Sequence, residues 1–273
     1  MDADYLLGAE AKVAFERDGF VKLSGVLPAA VVKHYGAEIT RLTLDLNAET
    51  RPLAVRDTYD RAFLQVMNLW RDEEAIRPFV FSRRLARIAA ELLGVKGVRL
   101  YHDQALYKEP GGGITPAHAD QYYWPLASDR VVTAWIPLQD VPLDMGPLAF
   151  FRGSHHEAFG RDLAISDESE RVISEAMLAR GFELAEDSFA LGDVSFHAGW
   201  TFHRAGENRS QSPRSVMTMI YMDRDMRVAE PVNAMQQSDL AQWLPGLGPG
   251  DAAASPLNPL LWDRTPINLG EMN

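Results

Sequence analysis

The chain has 273 residues, 47% hydrophobic and 24% charged, proportions ordinary for a folded globular protein. A net charge of −11 and an isoelectric point near 5.1 argue against nucleic-acid or anionic-membrane partners, which need clustered Lys and Arg. The absence of cysteine excludes disulfides, thiolate metal sites, iron–sulfur clusters and cysteine nucleophiles, so a metal site must be built from His, Asp and Glu.

The opening twenty residues lack the basic and apolar regions of a secretory signal, and no apolar run is long enough to cross a bilayer, so a cytoplasmic protein is expected. Val13, Ala14 and Phe15 among charges predict a short helix from Ala9 to Asp18, stopped by Gly19. Phe20 to Leu23 alternates like a strand. A longer helix follows from Pro28 to Leu46, where Val31, Val32, Tyr35, Ile39, Leu42 and Leu46 recur at helical spacing. Asn47 to Asp57 is polar and proline-interrupted, and reads as a loop. Phe63, Val66, Met67 and Trp70 predict a further helix over 61–70. Leu85, Ile88, Ala89 and Leu92 predict another over 79–93, closing at Gly94. Residues 1–97 thus form a mainly helical flank.

From Val98 the pattern changes to short apolar segments separated by Gly, Pro and Asp, the signature of a β-core over 98–223. Strands are expected at 98–108, 131–139, 148–151, 193–197 and 215–223, with a flexible turn at PGGG, 110–113. Residues 166–180, rich in Glu and Ser, read as an inserted helix or lid. Beyond Arg224 many Pro and Gly predict C-terminal loops over 224–273, anchored by Trp243 and Trp262. No repeat, low-complexity tract or linker interrupts the chain, so a single domain over 1–273 is expected, mainly β with α.

His118 and Asp120 stand two apart, and in an extended strand such side chains share a face, so the pair can grip one metal ion. The third ligand is expected from His203. Two histidines and a carboxylate on one face of an octahedral ion leave three positions open, as non-haem Fe(II) oxygenases require. His197 competes with His203, since 192–197 reads as a strand. His203 is preferred because Arg214 lies eleven residues beyond it, placing a guanidinium on a neighbouring strand where an oxo-acid co-substrate needs one. The ordinary fate of an arginine is a surface ion pair, but the planar fork of Arg214 can also bind a carboxylate bidentately. Lys108 and Arg204 are lesser candidates for that task.

The remaining histidines have simpler readings. His34 is a solvated or capping helix residue, His155 and His156 belong to a turn, and His102 can reach the site from the strand before the turn but reads more simply as a satisfied core residue. Aromatic residues beside a strand are usually core packing. If alternation continues past Asp120, however, Tyr122 and Trp124 face the metal and line a substrate pocket, with Trp200 and Phe202 closing its other wall.

Three blocks carry a resemblance. They are Lys108 to Trp124 with its H-x-D pair, Thr133 to His155 (TAWIPLQDVPLDMGPLAFFRGSH), and Gly192 to Arg214. Together with the opening FERDGFVKLSGVL they are similar to the phytanoyl-CoA dioxygenase family of Fe(II)/2-oxoglutarate-dependent oxygenases. The resemblance implies a double-stranded β-helix, or cupin-like jelly roll, with iron held by His118, Asp120 and His203. It further implies that Arg214 binds the distal carboxylate of 2-oxoglutarate, with Trp135, Thr133 and Gln104 near this co-substrate and Lys108 on the strand leading in. Ala205 departs from the family, which often has a serine there. Related halogenases replace the carboxylate of the H-x-D pair by a small residue, so the intact Asp120 favours hydroxylation over halogenation.

The expected activity is therefore that of an Fe(II)/2-oxoglutarate-dependent hydroxylase, which consumes O2 and releases succinate and CO2 while oxidising an unactivated C–H bond. An acyl-CoA substrate would demand a phosphate-binding cluster that Arg204, Arg209 and Arg214 do not supply. A small or medium apolar or cationic metabolite fits better, with Tyr122, Trp124 and Trp200 as a conceivable ammonium cage. Two other classes compete: a metal-binding cupin-like isomerase or hydrolase, and a catalytically silent binding module. Oligomeric state is not legible.

Overall fold

The computed structural model describes residues 5–264; the expectations for residues 1–4 and for loops over 265–273 fall outside them. In chain order the elements are α1 (Ala9–Asp18), β1 (Phe20–Leu23), α2 (Ala29–Leu46), α3 (Thr58–Ala62), β2 (Leu64–Met67), α4 (Arg77–Val80), α5 (Arg83–Leu93), β3 (Gly97–Lys108), β4 (Thr115–His118), β5 (Val131–Pro137), β6 (Leu148–Phe151), α6 (Asp167–Ala179), β7 (Leu184–Glu186), β8 (Val194–Ala198), β9 (His203–Ala205), β10 (Arg214–Asp223), α7 (Ala234–Trp243) and β11 (Leu260–Asp263).

Two antiparallel sheets form a jelly roll. The larger runs β1-β8-β5-β10-β3-β11, with β2 also paired to β3; the smaller runs β4-β9-β6-β7. Alternation along the larger sheet assigns its two faces. Val132, Ala134 and Ile136 of β5, and Met217, Met219 and Tyr221 of β10, pack with Phe15, Val32, Ile39 and Ile88 of the helices in one apolar core. Their neighbours in sequence, Thr133, Trp135, Arg214 and Thr218, line the space between the sheets. None of the described helices is long and apolar enough to cross a membrane.

Three local expectations are corrected and a fourth is sharpened. The helix expected over 61–70 is instead the end of α3, then strand β2, because Leu64 to Met67 completes the free edge of β3 by pairing Leu64 with Tyr107 and Met67 with Gln104. The 79–93 helix is broken at Ser82, whose side chain caps α5 by accepting from the Leu85 N–H. The region beyond Arg224 is not all loop: Asn233 caps α7, and β11 pairs with β3. Finally, α6 starts from a capping box at Ser166 and is docked rather than free, burying Ile173 and Met177. Glu170 of α6 accepts the Ala117 N–H of β4 and pairs with Arg204 of β9.

Candidate metal centre

Strand β4 ends at His118, and Asp120 opens a 3-10 turn over Asp120–Tyr123, so the H-x-D pair spans a strand end rather than one strand. Ala119 keeps an extended backbone, and both side chains still converge. His203 arrives from β9, which pairs with β4 so that His203 lies opposite His118. Nε2 of His118 and of His203 lie 3.5 and 3.6 Å from Asp120 Oδ1. One ligand atom from each of the three residues falls within 4.8 Å of the others, a set able to hold a metal ion.

The hydrogen bonds around the triad fix which atoms are free. Nδ1–H of His118 donates to the Pro116 carbonyl at 2.8 Å, and Nδ1–H of His203 to that of Thr201 at 3.0 Å. Each ring is thereby set in the tautomer that leaves a lone pair on Nε2. Burial and the adjacent His118 push His203 down to about 3, so it stays a neutral ligand at physiological pH. Burial alone would raise the Asp120 carboxyl, but His203, His118 and His197 overcome it and hold the group well below the ordinary carboxylate range. His197 does not join the triad. Its Nε2–H donates to Asp120 Oδ2 at 3.0 Å, and Thr133 Oγ1 donates to the same oxygen at 2.9 Å.

A cavity of about 450 Å³ opens from the triad. Arg214 lies in its wall, 1% exposed, and its guanidinium donates only to the Gly146 carbonyl. Among the described residues no carboxylate meets it, and its Nε is buried without a partner. Burial pushes this arginine down to about 10, so it remains charged. Trp135 Nε1 and Thr115 Oγ1, lining the same cavity, are also buried without partners. A buried cation with two further unpaired polar groups beside a His-Asp-His triad fits a bound dicarboxylate. The donor set and its surroundings therefore match Fe(II) with 2-oxoglutarate.

Of the other expected residues, Trp135, Thr133, Gln104 and Trp124 line this cavity, and Lys108, Tyr122 and Trp200 do not. Thr133 holds Asp120, as described, while Gln104 lines the cavity with its Oε1 accepting from Gln65 Nε2. Lys108 is not in the cavity wall: its buried amine donates to the carbonyls of Gly113 and Gly206, tying the glycine-rich turn to the chain after β9. The 3-10 turn ends the alternation past Asp120, so Trp124 and Tyr123 line the metal cavity, whereas Tyr122 and Trp200 line a second cavity. Phe202 is buried against α6 in a separate cluster. The two cavities separate Trp124 from Tyr122 and Trp200, so these three do not form one cage.

Other wall residues went unnoticed in the sequence. Phe63, just ahead of β2, and Gln65 and Met67 of β2 line the cavity, a wall that alternation would have revealed had 63–67 been read as extended. His102 lines the cavity instead of sitting satisfied in the core, and Met235 and Asp239 enter from α7. No periodicity announced that short, weakly amphipathic helix.

The profile of the family described as phytanoyl-CoA dioxygenase (PhyH) matches residues 15–216. The chain belongs to the phytanoyl-CoA dioxygenase family. It is an Fe(II)/2-oxoglutarate-dependent dioxygenase. One phytanoyl-CoA dioxygenase relative is an ectoine dioxygenase of Stutzerimonas stutzeri (strain A1501), 25% identical over 245 residues that cover 82% of this chain and 80% of the other. Among solved structures, the non-heme alpha ketoglutarate dependent carbocyclase SnoK from nogalamycin biosynthesis is 26% identical with a TM-score of 0.77, covering 93% of this chain and 96% of the other. The epimerase SnoN, in complex with Fe3+, alpha ketoglutarate and nogalamycin RO, is 26% identical with a TM-score of 0.76, covering 93% and 98%.

Proposed function

We propose that this chain, acting as one catalytic domain, hydroxylates an unactivated C–H bond of a small or medium organic metabolite and releases succinate and CO2. The observation that carries this reading is Arg214, a buried guanidinium without a carboxylate partner, in the wall of the cavity that holds His118, Asp120 and His203.

In this reading the iron ligands are His118 Nε2, Asp120 and His203 Nε2, and Arg214 binds the distal carboxylate of 2-oxoglutarate. Iron, when bound, supplies the redox chemistry that couples O2 to co-substrate decarboxylation and C–H oxidation. His197 and Thr133 hold one oxygen of Asp120 so that the other faces the imidazoles. Trp135 Nε1–H and the Thr115 hydroxyl stand ready to donate to co-substrate oxygens. Tyr123, Trp124, Phe63 and Met67 supply an apolar wall that keeps water from the substrate. Among the described residues Arg214 is the only Lys or Arg lining the cavity, which disfavours a substrate whose phosphates must enter it.

Anaerobic titration of the Fe(II)-loaded protein with 2-oxoglutarate tests this reading. Chelation is expected to give a weak visible charge-transfer band that His118→Ala abolishes; no band in the unaltered protein overturns the assignment. Because SnoK and SnoN are named a carbocyclase and an epimerase, product analysis should separate hydroxylation from ring closure and epimerisation.

A further inference from the structure

Where β10 pairs with β3, Met219 lies opposite Asp103 and Tyr221 opposite Leu100, so a bulge sets Tyr101 and His102 together against Ile220. Their rings lie 4.9 Å apart. The Tyr101 hydroxyl donates to Asp239 Oδ2 at 2.8 Å. Asp239 lines the metal cavity from α7, as does His102 from β3, which is 2% exposed and whose Nδ1 has no partner among the described residues. No Lys or Arg among the described residues forms an ion pair with Asp239.

Position along the sheet separates this carboxyl from the co-substrate end. Arg214 is paired with Lys108, six residues along β3 from His102, roughly 20 Å for an extended strand. Charge completes the argument. Fe(II) and Arg214 together balance Asp120 and both carboxylates of 2-oxoglutarate, which leaves Asp239 as the one carboxyl without a counter-charge among the described residues of the cavity wall. Burial raises its carboxyl to about 7 despite the hydrogen bond from Tyr101, the condition of an acid lacking a counter-ion. Tyr59, Tyr123 and Trp124 also line the cavity and offer π-faces to a cation.

The geometry points to Asp239 as the residue that selects the substrate: a metabolite carrying a protonated amine, with the ammonium held at Asp239 and the carbon skeleton reaching back toward the metal. This inference rests on the proposed dioxygenase reading for its charge balance, and its test is a binding measurement that needs no turnover.

Three matched probes serve, namely 2-phenylethylammonium, 2-phenylethanol and phenylacetate. Their binding is measured by anaerobic calorimetry on the full chain loaded with Fe(II) and 2-oxoglutarate, while the visible band of the same sample reports co-substrate loading. The ammonium probe is expected to bind at least about tenfold more tightly than the alcohol. Asp239→Asn should erase that preference while leaving affinity for the alcohol unchanged, and Asp239→Lys should turn the preference toward phenylacetate. Equal binding of the three probes, no binding of the ammonium at millimolar concentration, or a preference that survives both substitutions overturns the proposal. A missing visible band alongside an Asp239-dependent ammonium preference would sink the dioxygenase reading and leave the cation subsite standing.

Discussion

Asp120 has two carboxylate oxygens, and the fold gives them different partners. Oδ1 faces the imidazoles of His118 and His203, while Oδ2 is held by His197 and Thr133. Replacing His197 by Phe removes one of these clamps, and Fe(II) affinity is expected to fall about 10–100-fold, read by competition with a chelator; unchanged affinity would show the clamp to be dispensable. Arg214→Lys loses the planar fork, and 2-oxoglutarate should then bind roughly tenfold to a hundredfold more weakly by the visible-band titration. His118, Asp120 and His203, singled out by spacing and by the resemblance, come within reach of one ion, and Arg214 lies in the wall of the same cavity. Thr133 lines the cavity and also holds Asp120, whereas Lys108 is turned to the carbonyls of Gly113 and Gly206, backbone groups that no motif spacing encodes. Burial, then Arg214, depresses Lys108 to about 6 from an ordinary 10.5. A neutral amine can still donate to both of its carbonyls. Between those values the unfolded chain binds a proton that the folded chain does not, so this residue makes stability rise with pH. Urea midpoints at pH 6.5 and pH 9 should show a smaller rise for Lys108→Met than for the unaltered protein.

Five expected strands match β3, β5, β6, β8 and β10, whereas the short β7 and β9 of the smaller sheet were not among them. The helix expected over 61–70 failed because Phe63, Val66, Met67 and Trp70 satisfy helical spacing by coincidence; the unpaired edge of β3 decided otherwise. Helix α7 was missed for the opposite reason, a sequence without a clear apolar face whose start is set by the Asn233 cap. Helix α6 was foreseen, but its attachment was not. Glu170 links it to both metal-bearing strands, and Glu170→Ala is expected to lower unfolding stability by about 1–3 kcal/mol in urea titration, through the Ala117 N–H and Arg204 left without their acceptor. At the turn before β6, Gly146 has φ 65° and offers its carbonyl to Arg214, and a Cβ there would collide with the Gly206 backbone. Gly146→Ala should therefore weaken 2-oxoglutarate binding without touching any ligand atom, by the same titration.

The whole molecule is two sheets with the metal triad at one side of the gap, so a bound ion joins the end of β4 to β9. Fe(II) at about a hundredfold its Kd is expected to add about 2.7 kcal/mol to stability, raising Tm by roughly 5–10 °C, and a chelator should reverse this. An unchanged melting curve would show that the triad does not bind metal in the folded state. At this scale the strongly acidic composition told little of the cavity, whose charge is set by Arg214, Asp120 and Asp239. Strand β3 interleaves two tasks. His102, Gln104 and Leu106 face the cavity, whereas Ala105 and Tyr107 pack into the helical core. Evolution can accordingly rewrite what the enzyme recognises by editing every other letter of one strand, and drift in the chemistry it serves need not disturb the packing on which its folding depends.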